Sequence, residues 1–493
     1  MTASSSFESN AGITEASLRS AAPLELDVDA MSAMARQVSA LVVEHLASIR
    51  DQPAQRPLGR AETERLLLAA APESGEPMEA ILGQFVDAVA PYHAREPHPR
   101  FVGYVPSCPT FAGVMGDWIG AGYNFFSGVW SVAAGPNQIE LTVLEWFRSW
   151  LGMPVGTSGL LTSGGSSATL TAIVAARHRA AGEDGALLPR LTMYTSEQAH
   201  SSVARAAWIA GIPRANVRAI ETDDDFRMRT DALAAAIHAD RAAGLVPFLV
   251  AASAGTTNTG AVDPLGAVAD LCAAAGLWMH VDAAYAGFAA LTPAGAATMR
   301  GIERADWVTL DPHKWLFVPF ECGCLLVKDP ALLEVAFSTH PEYLNDVRAT
   351  DRDVNFADYG EQLTRGPRAL KVWLSVRYHG VAAIRETIAR GIALAEYAEC
   401  RLRELPDFEI LSPARFGVLC FRVRDSGSLA EVNAMNEAIN ARVNGTGEFL
   451  MSSTVLRGAY SLRICTHGYR TSANDLDALI AATSQAIKGV SIA

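Results

Sequence analysis

One lysine of this chain directly follows a short apolar run. Lys314 lies in the pentapeptide DPHKW at 311–315, straight after the run WVTL at 307–310, and such a run is typical of a buried strand. A lysine held there is poorly hydrated, so we expect its pKa to fall and its amine to become nucleophilic. This chemistry suits imine formation with an aldehyde. The pentapeptide alone fits a surface lysine after a strand equally well.

A single carboxylate follows a second apolar run. Asp282 lies in the segment HVDAAYAG at 280–287, with small side chains after it. A buried carboxylate needs a cationic partner, and the protonated nitrogen of a pyridine ring would keep it ionised. Asp282 would then maintain the ring as an electron sink. Taken alone, an Asp that caps the next helix is the better interpretation.

Three further runs end in small or polar residues. The segment LLTSGGSSAT at 160–169 predicts a strand, a Gly/Ser turn and a helix start, where backbone amides and hydroxyls bind a phosphate. His200, in YTSEQAHSS, is placed to lie over a flat ring, and Thr257, in AGTTNTG, is placed at a ring edge. Each also fits an ordinary turn or helix cap. These segments, with Asp282 and Lys314, supply the groups that a pyridoxal phosphate (PLP) site requires, and they follow one another along the chain.

These segments give the chain a family resemblance. It resembles the group II PLP-dependent amino acid decarboxylases, most of all the aromatic-L-amino-acid decarboxylases among them, from about residue 77 to the C-terminal helix. The resemblance implies an α/β fold, the fold type I of PLP-dependent transferases. Its large domain would hold a mostly parallel seven-stranded sheet, with an N-terminal helical arm and a small C-terminal α+β domain. It also implies a homodimer with active sites at the subunit interface.

Individual roles follow from the resemblance as well. It implies that Lys314 forms the Schiff base, Asp282 pairs with the pyridine nitrogen and His200 stacks on the ring. Tyr343 matches a tyrosine of a loop that reaches over the partner's active site, and we expect it to protonate Cα, with His313 assisting. Further residues are expected around the phosphate and the ring: Gly165, Ser166, Thr257, Ala284, Asp311 and His313.

The implied reaction is removal of the α-carboxylate of an L-amino acid to give the amine and carbon dioxide. An aromatic substrate is expected, namely tyrosine, DOPA, tryptophan or phenylalanine. Relatives with phenylalanine in place of Tyr343, or without His200, resemble aldehyde synthases that use oxygen; since both groups are present here, we expect the amine. A non-aromatic substrate and an aromatic aldehyde synthase stay open as alternatives.

The expected substrate pocket combines a match with three departures. Tyr104, in PRFVGYVP at 99–106, resembles the pocket wall of the aromatic enzymes, although rings more often fill a core. The departures from the animal enzyme are Glu96 for a tryptophan, which we expect to face solvent, Gly128 for a phenylalanine, and Thr364 for a glycine. The residues expected to bind substrate are Tyr104, Phe126, Thr364 and Arg463.

Composition narrows the class of protein. The 493 residues carry 40 Lys and Arg against 53 Asp and Glu, a net charge of −13, so no basic face for nucleic acid is expected. The seven cysteines are scattered and odd in number, which argues against a disulfide framework, and we expect no metal. No apolar run is long enough to cross a bilayer and no secretory signal is evident. We therefore expect a cytoplasmic protein that binds a small amino acid.

The order of predicted elements sets the domains. We expect a flexible tail at 1–25, a helical dimerisation segment at 26–110, a large PLP-binding domain at 111–375 and a small domain at 376–493. Helical periodicity marks the first helices at 27–49 and 77–89. Nearly continuous apolar runs predict buried strands at 191–194, 247–251, 277–281, 307–310 and 324–327. In the small domain, helices at 381–402, 429–443 and 473–487 alternate with strands at 417–423 and 461–465.

Overall fold

The computed structural model describes residue 14 and residues 18–20, 22–182, 185–339 and 353–488. Contacts divide the chain into two compact units, one of Met1–Gln52 and Pro57–His93, the other of Pro53–Arg56 and Ala94–Ala493. Among the described residues, the helices of eight or more residues in the first unit are α1 (Val28–Ala47), α2 (Arg60–Leu67) and α3 (Met78–Ala88). Helices α1 and α3 lie where apolar periodicity predicted them. Helix α2 was not predicted, because its sequence RAETERLL is mostly polar.

A seven-stranded sheet forms the centre of the second unit. Its strands are β1 (Ser158–Thr162), β2 (Leu191–Ser196), β3 (Val217–Ile220), β4 (Val246–Ser253), β5 (Trp278–Asp282), β6 (Trp307–Leu310) and β7 (Gly323–Val327). They pair in the order β1-β7-β6-β5-β4-β2-β3. Neighbours are parallel from β6 to β3, whereas β7 runs antiparallel to both β6 and β1. The mostly parallel seven-stranded sheet is thus confirmed.

Helices cover this sheet. The connecting helices are α4 (Phe111–Tyr123), α5 (Trp130–Trp150), α6 (Gly165–Ala181), α7 (Ser201–Ile209), α8 (Thr230–Ala242), α9 (Leu265–Ala275), α10 (Pro293–Thr298), α11 (Pro312–Trp315) and α12 (Ala331–Phe337). Strands β2, β6 and β7 are buried at every position. Both sheet faces are therefore shielded from water, which explains the unbroken apolar runs in the sequence. In the described residues, no helix is both long and apolar enough to cross a membrane.

The C-terminal part forms a second, antiparallel sheet. Helix α13 (Arg368–Arg403) leads into it and is interrupted at Gly380, whose φ of 78° is left-handed. The remaining elements are β8 (Phe408–Arg415), β9 (Val418–Val423), α14 (Leu429–Gly445), β10 (Ser452–Leu456), β11 (Ala459–Cys465) and α15 (Ala473–Ile487), with strand order β10-β11-β9-β8. Strands β8 and β10 were not predicted, because their sequences FEILSPAR and SSTVL mix polar and apolar residues. The small α+β part is otherwise as expected.

All seven cysteines are free, and all but Cys400 are buried. Cys324 lies within β7 and Cys322 directly before it. Burial raises the pKa of the Cys322 thiol to about 12, so it stays protonated at neutral pH. Core packing accounts for both residues.

One buried ion pair ties β1 to distant parts of the chain. Arg365 donates to Glu140 of α5 through two nitrogens, at 3.0 and 2.6 Å, and both side chains are 1% exposed. The same guanidinium donates to the carbonyls of Ser127 and Leu161, and Glu140 accepts from the amide of Leu161. Every charge is therefore met by several partners, which a buried pair needs in order to be stable.

Removal of one partner should leave an uncompensated buried charge. We expect Arg365→Met to lower the free energy of unfolding by about 3–5 kcal/mol, measured by urea denaturation. Arg304→Met is the matched control, because Arg304 pairs with Asp270 while both side chains are largely exposed; its loss should stay below about 1 kcal/mol. Equal losses in the two variants would contradict the anchoring role of Arg365.

Candidate active site

A cavity of about 310 Å³ opens at the carboxyl ends of the central strands. Strand β4 ends at Ser253 and β5 at Asp282, and these two residues pair in register. Strand β6 ends one residue before Asp311. In parallel α/β sheets this edge is where loops place polar groups against a ligand. Nine residues expected near the cofactor line the cavity: Gly165, Ser166, His200, Thr257, Asp282, Ala284, Asp311, His313 and Lys314.

Lys314 lies in α11 and forms an ion pair at the cavity wall. Its Nζ is 2.9 Å from Oδ2 of Asp311, and the lysine side chain is 23% exposed while that of Asp311 is 4% exposed. Burial acts to lower the pKa of Lys314, but the Asp311 and Asp282 carboxylates outweigh it and raise the pKa above its ordinary value. The predicted fall of this pKa was therefore wrong. The sequence showed the apolar surroundings and not the two converging carboxylates.

Asp282 ends β5 and holds the following turn. Its Oδ1 accepts from the amide of Ala284 at 3.1 Å. The next helical turn begins only at Gly287, so Asp282 does not cap a helix, which was the alternative left open by the sequence. Its carboxylate instead lines the cavity together with Lys314, where it can pair with a cationic ring nitrogen.

The Gly/Ser turn forms a tight wall of the same cavity. Helix α6 begins at Gly165, and no side chain caps it, so its first amides are free to bind an anion. A Cβ atom on Gly165 would lie 3.1 Å from both Ala284 Cβ and Asp311 Oδ2; glycine is needed for this close approach. Ser167 also lines the cavity, and it donates to Glu361 at 2.6 Å.

His200 caps a helix and also lines the cavity. It is the N-cap of α7, where its Nδ1 accepts from the amide of Ser202 at 3.3 Å and lies 2.7 Å from that residue's hydroxyl. The capping contact fixes the position of the imidazole. Capping and ring contact are therefore compatible, and stacking on the ring stays a prediction.

His313 is held in its neutral form. Burial lowers the pKa of this imidazole, an effect that Asp311 partly opposes. Its Nδ1 accepts from the amide of Cys322 at 3.3 Å, so the neutral ring carries its proton on Nε2. That nitrogen lies 3.6 Å from Oδ2 of Asp311, and the ring packs against Phe320 with centroids 4.9 Å apart.

The residues predicted to bind substrate lie apart from the cavity lining. Arg463 is 3% exposed, and it donates to the carbonyls of Thr257 at 2.9 Å and Tyr104 at 2.6 Å. In this chain it connects two loops rather than facing the cavity. Tyr104, Phe126 and Thr364 are also absent from the lining, and Tyr343 lies outside the described residues. Their assignment to substrate stays a prediction.

Glu96 and Gly128, two of the three departures from the animal enzyme, have a structural cause. Glu96 is half-buried and accepts from the amide of Ser107 at 2.6 Å, and burial raises the pKa of its carboxyl although that amide acts in the other direction. The expectation that Glu96 faces solvent was wrong. A Cβ atom on Gly128 would lie 2.5 Å from the carbonyl oxygen of Leu363. No side chain fits at that position.

Several residues of the site were not predicted from the sequence. Tyr285 and Glu321 line the cavity, and Glu361 holds Ser167. Lys371 donates to the carbonyls of three successive residues, Pro319 to Glu321, at 3.2–3.3 Å and so supports the loop after α11. Only Tyr285, within HVDAAYAG, carried a local signal. Glu361 and Lys371 act from distant parts of the chain, and no spacing rule connects them to the site.

These groups fit an aldehyde cofactor that carries a phosphate and a basic ring nitrogen. Lys314 supplies the amine, Asp282 the carboxylate and the start of α6 the anion-binding amides. Oδ1 of Asp311 is buried without a protein partner, which marks the site as polar and able to bind a further group. In the part of the chain that the structure describes, no His, Cys, Asp and Glu cluster is arranged to hold a metal ion.

Comparison with known proteins decides the family. The family model for the pyridoxal-dependent decarboxylase conserved domain matches residues 61–424. The chain belongs to this family. It is 36% identical over 456 residues to an aromatic-L-amino-acid decarboxylase from Bacillus atrophaeus, covering 92% of this chain and 94% of that one. It is also 32% identical over 437 residues to a phenylacetaldehyde synthase from Arabidopsis thaliana, covering 86% and 88%.

Solved structures agree with the family assignment. The crystal structure of Oryza sativa TDC with PLP and tryptamine matches with a TM-score of 0.91 and 29% identity, covering 95% of this chain and 99% of that one. This pyridoxal-dependent decarboxylase therefore has the fold type I architecture and uses PLP. It is a carboxy-lyase.

Covalent attachment of PLP can be located without ambiguity, because the chain has only four lysines, Lys314, Lys328, Lys371 and Lys488. After borohydride reduction of the PLP-loaded enzyme, we expect one adduct, on Lys314, by peptide mass spectrometry. Lys371 is an internal control. Like Lys314 it is largely buried, with 5% of its side chain exposed, but its amine is bound by Asp117 and three carbonyls and should not react. An adduct on another lysine, with Lys314 unmodified, would overturn the assignment.

Proposed function

We propose that this decarboxylase acts on an aromatic L-amino acid and releases the corresponding amine and carbon dioxide. The observation that carries the proposal is the convergence of Lys314 and Asp282 on one cavity beside the start of α6. The aromatic substrate class is supported by the printed name of the Bacillus atrophaeus relative and by the tryptamine in the Oryza sativa structure.

The residues of the chain divide the work of the reaction. When bound, the protonated cofactor ring supplies an electron sink for the pair left by departing carbon dioxide. The carboxylate of Asp282 would stabilise the positive charge of that ring. Electrostatic stabilisation of this kind is worth about 3–4 kcal/mol for a well-aimed group. The first amides of α6, with Ser166, bind the phosphate. Thr257 and Ala284 border the ring, and His200 packs on its face.

The final proton decides the product. We assign the proton that arrives at the substrate Cα to the phenol of Tyr343. His313 assists, because its neutral ring carries a proton on Nε2 beside Asp311. With a proton available there, the amine is the product. Without it, oxygen can oxidise the carbon, and hydrolysis then releases the aldehyde and ammonia while oxygen becomes hydrogen peroxide, as in the alternative activity of an aromatic aldehyde synthase.

The substrate pocket is proposed to form between two copies of the chain. Tyr104, Phe126 and Thr364 do not line the cavity of a single chain, so a homodimer with active sites at the interface would bring pocket walls from the partner. Helix α4 presents large exposed apolar side chains, which commonly mark an interface: Phe111, Trp118, Ile119 and Tyr123. The dimerisation segment at 26–110 and the cytoplasmic location stay predictions.

A substrate panel tests the proposal. With PLP present, we expect carbon dioxide release from L-tyrosine, L-DOPA, L-tryptophan or L-phenylalanine, unchanged by omission of any keto acid, because decarboxylation needs no amino acceptor. L-Glutamate and L-aspartate serve as the matched negative substrates, and products are identified by mass. Turnover of the acidic amino acids alone would overturn the aromatic class while leaving the family intact.

Replacement of Tyr343 tests the choice of product. We expect Tyr343→Phe to lower amine formation by roughly 10²–10⁴-fold, the usual contribution of a positioned proton donor, and to raise aldehyde and peroxide formation with uptake of oxygen. Tyr378→Phe is the control, because Tyr378 is 77% exposed on α13. An unchanged ratio of amine to aldehyde in Tyr343→Phe would remove this tyrosine from the mechanism.

A further inference from the structure

Asp311 is a buried carboxylate with an unusual set of neighbours. It precedes α11, but its side chain does not cap that helix. Oδ2 is 2.9 Å from Nζ of Lys314 and 3.6 Å from Nε2 of His313, while Oδ1 is buried without a protein partner. A buried carboxylate in this condition is costly unless a cation holds it. Lys314 is the cation in direct contact with it.

The start of α6 lies close to Asp311. A Cβ atom on Gly165 would lie 3.1 Å from Oδ2 and 3.4 Å from Oδ1 of Asp311. Gly165 is the first residue of α6, so the positive end of that helix faces the carboxylate. The ammonium of Lys314 and the start of α6 thus both lie beside the carboxylate of Asp311.

Other groups that face Lys314 come from separate strands. Asp282, at the end of β5, and Cys465, in β11, also act to raise the pKa of the lysine, after Asp311. Burial lowers the pKa of both His313 and His467 below the usual range, so neither adds positive charge at neutral pH. His200 and Glu321 line the same cavity. Among these groups, Asp311 makes the ion pair with the amine.

We propose that Asp311 is the counter-ion of Lys314, which holds its ε-ammonium before the cofactor arrives and sets the pH at which the lysine reacts with an aldehyde. The reaction requires the ammonium to release one proton to solvent. The free lone pair then attacks the aldehyde carbon, and the two remaining N–H protons leave with the carbonyl oxygen as water while a C=N bond forms. Asp311 opposes the first of these steps, because its charge favours the ammonium.

This role differs from that of Asp282. Asp311 and Asp282 line one cavity, and each is matched to a different cation: Asp311 to the lysine amine, Asp282 to the ring nitrogen. The inference rests on PLP as the cofactor and not on the identity of the amino acid substrate. A failure of the aromatic assignment would therefore leave it unaffected.

The test measures cofactor uptake by the apoprotein. Asp311→Asn keeps the size and shape of the side chain and removes its charge, so the close approach of Gly165 is preserved. We expect the pH midpoint for the rate of PLP uptake, followed by visible absorbance after mixing, to fall by about 1–3 units. Acetylation of Lys314 in the apoprotein, followed by mass spectrometry, should show the same downward shift, with exposed Lys328 as internal reference.

A matched variant distinguishes loss of the ion pair between Asp311 and Lys314 from loss of any one carboxylate in the cavity. Glu321 lines the same cavity but pairs with Arg368 at 3.1 Å, so Glu321→Gln should leave the midpoint of Lys314 acetylation in place. Asp311→Ser serves as a second variant if the Asn variant does not fold. A folded Asp311 variant whose Lys314 acetylation midpoint is unchanged or higher would overturn the proposal, as would an equal shift in Glu321→Gln.

Discussion

The site depends on keeping one ammonium and two carboxylates together in one cavity. Lys314 and Asp311 are in contact, and Asp282 lines the same wall. Separation of such charges from solvent is unfavourable unless each finds a partner. In the proposed reaction, the lysine stays an ammonium until an aldehyde replaces its ionic contact with a covalent one. The same two carboxylates that hold it also explain why its pKa rises rather than falls.

The order of strands makes this arrangement possible. Strands β4, β5 and β6 are parallel neighbours, and the register that pairs Ser253 with Asp282 also pairs Asp282 with Thr309. The two carboxylates thus come from adjacent strand ends. Strand β1, at the edge beyond β7, brings the start of α6 to the same cavity, and the buried pair of Arg365 and Glu140 fixes that edge through Leu161. The stability of the pair of Arg365 and Glu140 is therefore coupled to the geometry of the Gly/Ser turn before α6.

The sequence predicted those parts of the molecule whose signal is local. Strands β2, β4, β5, β6 and β7 carry continuous apolar runs because both faces are buried, and motifs at their ends pointed to Lys314 and Asp282. Strand β3 has a half-exposed sequence, VRAI, and gave no such signal. The direction of the pKa shift at Lys314 and the support of the site by Lys371 and Glu361 depend on side chains brought together only by the fold. Spacing along the chain does not contain that information.

The charge of the cavity limits how a phosphate can be held. Among the described residues of the lining, Lys314 is the only lysine, and no arginine is present. That lysine is engaged by Asp311, and the hydroxyl of Ser167 already donates to Glu361. We therefore propose that the negative phosphate is bound mainly by the free amides at the start of α6 and by Ser166. Backbone amides act only at close range, and a side chain at position 165 would press on Ala284 and Asp311.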